Sequence, residues 1–151
     1  MINTSKSDSR EQRDAEGYIA NAAEKMFGCH FERNARIVLA DGVHMEPDLY
    51  SEDEKIICEI YSHIGVLKGG QKHKIAQDIL KMLLLEKSKA FSYRKILIVV
   101  DDKVKNYLRG QSFIAESIRQ FGIEVEKIDL SKELADSVSK AQGRQIMKNV
   151  E

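Results

Sequence analysis

The chain has no tryptophan and a single proline, and its 24 basic residues are matched by 24 acidic ones. That balance argues against a protein coated in positive potential. There is no Pro/Gly-rich linker, internal repeat or low-complexity tract, which points to one folded unit. Two cysteines, Cys29 and Cys58, are too few for a disulfide framework. Both lie in or beside apolar segments, as free buried thiols in a reducing cytosol do. Long apolar runs are also missing, since Ile96–Val100 is far too short to span a bilayer. The N-terminus, MINTSKSDSREQRD, has no apolar stretch of the kind a secretory signal needs. The expected location is therefore cytoplasmic, with no membrane partner.

What is present suits one compact domain. A chain of 151 residues that is 42% apolar and 32% charged can bury a real core. Residues 1–10 read as a polar, flexible tail and residues 11–151 as the domain. The charge is unevenly spread. Between Ile64 and Lys95 eight Lys/Arg face two acids, Asp78 and Glu86. Such a sector suits either a polyanion bound at one place or an ordinary solvated helix face.

Hydrophobic periodicity predicts the elements. Apolar residues at helical spacing from Glu11 to Phe27, stopped by Gly28, predict a first helix. Arg36–Ala40, Val43–Tyr50 and Lys55–Tyr61 follow as strands, the first two joined at Asp41-Gly42. Gly69-Gly70 precedes a helix over Gln71–Lys87, with Ile75, Ile79, Leu80, Leu83 and Leu84 as its apolar stripe. Lys95–Val100 reads as a strand buried on both faces. A helix over Lys105–Phe121 with a break at Gly110, a strand over Ile123–Ile128 and a helix from Ser131 complete an α-β-β-β-α-β-α-β-α order. Hairpin strands followed by crossover-linked strands predict an α/β fold, a mixed sheet with helices on both faces.

The segment Pro47–Ser62, PDLYSEDEKIICEIYS, places Asp48 and Glu59 among apolar neighbours. If the turn is centred on Asp53-Glu54, Tyr50 lies opposite Ile57 and Asp48 opposite Glu59. Their Cβ atoms would then be ~5 Å apart on one face. Like charges so placed need a retained proton or a divalent cation between them. Carboxylate oxygens completed by water and phosphate oxygens suit Mg²⁺. The plainer alternative has Asp48 capping a turn and Glu59 pointing to solvent.

This pattern resembles the PD-(D/E)XK nuclease superfamily. Pro47-Asp48, ten intervening residues and Glu59-Ile60-Tyr61 stand where the motif would, on the second and third strands. The resemblance covers roughly Glu11–Asp101 and implies a restriction-endonuclease-like αβββαβ core. The motif is short and degenerate, so the order of elements carries most of the weight. The stretch EIYSHIGVLKGGQKHKIAQDILK is also similar to a branch of uncharacterised bacterial members with an aromatic residue in the lysine position. The resemblance implies Mg²⁺ (or Mn²⁺) held by Asp48, Glu59 and the Ile60 carbonyl, with Glu16 of the first helix completing the set. It further implies hydrolysis of DNA phosphodiester bonds.

Tyr61 departs from the motif, because a phenol supplies no fixed positive charge. The substitute is expected at the start of the next helix, with Lys74 first and Lys68 second. Lys68, Gln71, Lys72 and Lys74 are the expected nucleic-acid contacts, cations gathered where a helix terminus favours anions. Solvated lysines with no such role are the alternative. Cys29-His30 and Cys58 with His63 lack zinc-finger spacing. Three readings remain: a Mg²⁺-dependent deoxyribonuclease, an inactive nuclease-like fold serving as a nucleic-acid-binding or assembly module, and a scaffold with no nucleic-acid role, which the zero net charge keeps open. The small surface leaves room for a homodimer or a larger complex.

Overall fold

The structure, a computed structural model, describes the backbone of residues 4–150 and the side chains of residues 10–146. Its centre is a mixed five-stranded sheet in the order β1 (Glu32–Arg33), β4 (Leu49–Ser51), β5 (Ile56–Tyr61), β6 (Arg94–Val99), β7 (Glu124–Lys127). The β1–β4 and β4–β5 pairs are antiparallel, whereas β5–β6 and β6–β7 are parallel. Strands β2 (Ile37–Ala40) and β3 (Val43–Met45) form a separate two-stranded sheet.

Helix α1 runs Thr4–Phe27 and ends at Gly28, whose φ of 66° is the left-handed conformation glycine adopts without penalty. It takes in residues 4–10, which the sequence pattern assigns to a flexible tail. Helix α2 (Gly69–Lys89) joins the parallel strands β5 and β6. The expected helix over Lys105–Phe121 is two helices, α3 (Asp102–Leu108) and α4 (Phe113–Gln120), divided around Gly110. A Cβ at Gly110 would stand 3.3 Å from the Asn106 and Tyr107 carbonyl oxygens. Ser112 caps α4 by accepting from the Ala115 N–H. Helix α5 (Lys132–Val150) starts after Ser131, which accepts from the Leu134 N–H.

The sheet is covered on both faces. Ile57, Tyr61, Leu97 and Val99 pack on one side with Ile75, Ile79, Met82 and Leu85 of α2 and with α3, α4 and the β2–β3 hairpin. Ile56, Cys58, Ile60, Ile96 and Ile98 pack on the other with Ile19, Ala20 and Ala23 of α1. Alternation along β5 sends even and odd residues to opposite cores, so all six of its residues are buried.

Further sequence expectations change. The Val43–Tyr50 strand divides between β3 and β4, because Pro47 has no N–H to give a ladder. Two-residue β1, too short to leave a periodic signal, is the outer partner of β4 in the central sheet. On α2 the buried residues are Ile75, Asp78, Ile79, Met82 and Leu85, while Leu80 is 66% exposed and Leu84 43%. The apolar stripe is thus rotated from the expected one, and it brings Asp78 inside.

Candidate functional site

The β4–β5 register pairs Tyr50 with Ile57, as the turn centred on Asp53-Glu54 predicts. Continued beyond the end of β4, that register sets Asp48 opposite Glu59. Asp48 Oδ2 accepts from the Ile60 N–H at 2.7 Å, so its side chain extends the ladder where Pro47 cannot. Glu59 is 5% exposed and shares a hydrogen bond with Asp48. The plainer alternative therefore fails for Glu59, which does not reach solvent, and Asp48 bonds the backbone across the ladder and not within a turn.

Glu59 keeps its proton well above the usual carboxylate range. Burial, followed by the charges of Asp48 and Asp78, pushes its pKa up to about 9, opposed by Lys74. Glu16 of α1 joins the same field. Its pKa is raised by burial and then by the Asp48 charge, against a hydrogen bond from Gln12 and the Lys74 charge. Glu24, the other first-helix acid, is instead tied to the Phe31 N–H and to His30.

Tyr61 lies on the Glu59 face of β5. Its hydroxyl donates to Asp78 Oδ2 at 2.8 Å, and Lys74 Nζ donates to the same oxygen at 2.9 Å. The Lys74 ammonium also stands 5.8 Å from the centre of the Tyr61 ring. Burial opposes its charge, but the Asp78 hydrogen bond and the charges of Asp78, Glu59 and Asp48 prevail and raise its pKa. Burial, then Asp78, raises the Tyr61 phenol well above its ordinary value.

The fold thus gathers Glu16, Asp48, Glu59 and Lys74 from four separate segments. The other expected site residues are placed elsewhere. Lys68 is the N-cap of α2, where its N–H donates to Gln71 Oε1 at 2.7 Å. The Gln71 amide lies 2.9 Å from His63 Nδ1, while His63 Nε2 lies 3.0 Å from the Val66 carbonyl oxygen. Lys72 Nζ lies 4.8 Å over the Tyr107 ring, on the α3 side. Asp78 is the member that sequence patterning missed, because a lone aspartate inside a helix reads as solvated.

Beside the cluster, at the carboxyl end of β5, opens a cleft of about 190 Å³. Ile60, Tyr61, Gln71 and Lys74 line one side, Gln12 of α1 and Gln142 of α5 the other. Open α/β sheets present their binding crevices at this end of the strands. Among the described residues no group of three or more His, Cys, Asp or Glu is arranged as a ready metal centre. The Asp48–Glu59 pair nevertheless has the donor chemistry for a hard divalent cation. Its two carboxyl groups approach closely enough to share a hydrogen bond, and a cation taking the place of that proton would relieve their repulsion. No protein-family model matches the chain, and comparison with curated proteins and with solved structures finds no match.

Proposed function

We propose that this chain is a Mg²⁺- or Mn²⁺-dependent phosphodiesterase that hydrolyses DNA, a PD-(D/E)XK-like enzyme whose lysine has moved from β5 to α2. The observation that carries the reading is Lys74 Nζ, held on Asp78 and over the Tyr61 ring beside the Asp48–Glu59 pair. The sequence α1, β1, β4, β5, α2, β6 within and around the central sheet supports the αβββαβ order, with β1 rather than β2 as its first strand.

In this reading Asp48, Glu59 and the Ile60 carbonyl would hold the cation, and Glu16, which feels the Asp48 charge but is not arranged with the pair as a ready centre, would complete the set from α1. A bound divalent cation supplies Lewis acidity and makes its water a better nucleophile at neutral pH. Lys74 steadies negative charge developing on the phosphate. Lys68 and Lys72, at the start of α2, meet the flanking DNA backbone. A second reading, the inactive binding or assembly module, is favoured by one specific contact. Lys74 is already paired with a carboxylate of its own helix.

The test is cleavage of single- and double-stranded DNA with Mg²⁺ or Mn²⁺. Asp48→Ala and Glu59→Ala are expected to lower the rate by ~10²-fold or more, and Lys74→Ala by a similar factor. No cleavage by the folded wild type, or cleavage indifferent to the carboxylate changes, sinks the enzyme reading. Salt-dependent DNA binding without cleavage would then favour the second.

A further inference from the structure

Asp78 is a buried carboxylate to which the proposed reaction gives no part. It is 4% exposed, and a single oxygen, Oδ2, takes both the Tyr61 hydroxyl and the Lys74 ammonium. Helix electrostatics alone do not explain the pair. With the lysine four residues before the acid, its order is the less favourable one on a helix surface. The Lys74 side chain is 61% exposed overall, yet its charged end turns inward to Asp78. A lysine left to itself keeps its ammonium in water.

We propose that Tyr61 and Asp78 are positioning residues that hold the Lys74 ammonium against the Asp48–Glu59 pair. The aromatic residue in the motif's lysine position is then the anchor of the relocated lysine, not the scar of a lost one. Tyr61 contributes twice. Its hydroxyl fixes the rotamer of Asp78, and its ring face receives the cation. Asp78 links the two, because its oxygen is where both donors converge. Strand alternation gives the arrangement its logic. Residue 61 shares a face with Glu59, so a lysine there would reach the carboxylates directly, and a tyrosine there reaches them through Asp78 and Lys74. The catalytic consequence rests on the phosphodiesterase reading; the placement of Lys74 does not.

The experiment separates these two levels. Full-length wild type, Tyr61→Phe and Asp78→Asn, each checked for cooperative thermal unfolding, are exposed to limiting isotope-labelled acetylating reagent. The Lys74 modification rate is read by peptide mass spectrometry against Lys87, an exposed lysine of the same helix. Lys74 is expected to react several-fold more slowly than Lys87 in the wild type and to approach its rate in either variant. An unchanged Lys74 to Lys87 ratio in a folded variant overturns the positioning role, whatever the enzyme does.

DNA cleavage supplies the second level. Tyr61→Phe and Asp78→Asn are expected to lower kcat while leaving KM nearly unchanged. Adding Tyr61→Lys to Lys74→Ala is expected to recover cleavage tenfold or more over Lys74→Ala alone. A folded double variant without recovery, or Asp78→Asn at wild-type kcat while Asp48→Ala is dead, overturns the proposal. Wild-type protein that never cleaves defeats the phosphodiesterase reading instead, and leaves the labelling result to decide the placement.

Discussion

Glu59 holds a proton that an exposed glutamate would have released, and this has a measurable consequence for stability. Its pKa is about 9 in the folded chain, against an ordinary 4.5 when unfolded. Below the unfolded value both states are protonated and nothing is lost. Between the two values the unfolded chain releases a proton that the folded chain retains, so stability falls as pH rises, by at most ~1.4 kcal/mol per pH unit. Glu59→Gln keeps a neutral group of the same shape. With metal chelated, it is expected to be the more stable protein at pH 8 by several kcal/mol, at most ~5 kcal/mol, and nearly equal to the wild type near pH 4.5. Urea unfolding across that range decides it; parallel pH profiles for the two proteins would show that Glu59 is ionised in the fold. The neighbouring Asp48 lies beyond this pattern of burial, since it is half-buried and bonded to the Ile60 N–H.

At the scale of the element, α2 shows how a helix can be located by its sequence while its rotation is not. The run Leu83–Leu85 preceded by Ile79 and Leu80 offers overlapping apolar faces, and spacing alone does not choose between them. The sheet chooses: Ile75, Ile79, Met82 and Leu85 meet Ile57, Leu97 and Val99, while Leu80 turns outward. Leu85→Ala is therefore expected to cost ~2–5 kcal/mol and Leu80→Ala no more than ~0.5 kcal/mol. Denaturation midpoints of the two variants test this, and comparable losses would restore the stripe read from the sequence. The same rotation places Asp78 opposite Tyr61, so one choice of phase sets both the core and the cluster.

At the scale of the whole molecule, charge and chain connectivity both look different once folded. Of the eight cations between Ile64 and Lys95, three pair with acids: Lys74 with Asp78, Arg94 with Glu124 and Lys95 with Glu86. Lys95 is itself buried, so the local excess overstates the positive surface. The loop after β5 is fastened from far along the chain. The Ile64 N–H donates to Gln142 Oε1 at 2.8 Å, Gln142 Nε2 donates to the Ile64 carbonyl at 2.9 Å, and the Gly65 N–H donates to Asp101. The Arg144–Glu11 ion pair joins α5 to α1 across the cleft's far side. Gln142→Ala removes both Ile64 bonds and is expected to cost about 1–2 kcal/mol locally. Amide exchange at Ile64 should then quicken by ~10-fold, with β6 amides unchanged. An unaltered Ile64 rate would show that the loop is held without α5.

Local chemistry by itself determined where most elements lie. Gly28 stops α1, Ser131 caps the helix that follows it, Gly110 interrupts a helix, and the turn centred on Asp53-Glu54 sets the pairing of Tyr50 with Ile57. Each of these depends on a few neighbouring residues, which is why it could be read from them. Tertiary structure alone decided that the β2–β3 hairpin leaves the main sheet, that β1 enters it, and that Asp78 is buried. A short strand has no periodicity to detect until its partner is present. A carboxylate goes inside only where donors wait for it, and those donors, the hydroxyl of Tyr61 and the ammonium of Lys74, are brought together by the sheet and not by the helix that carries the acid.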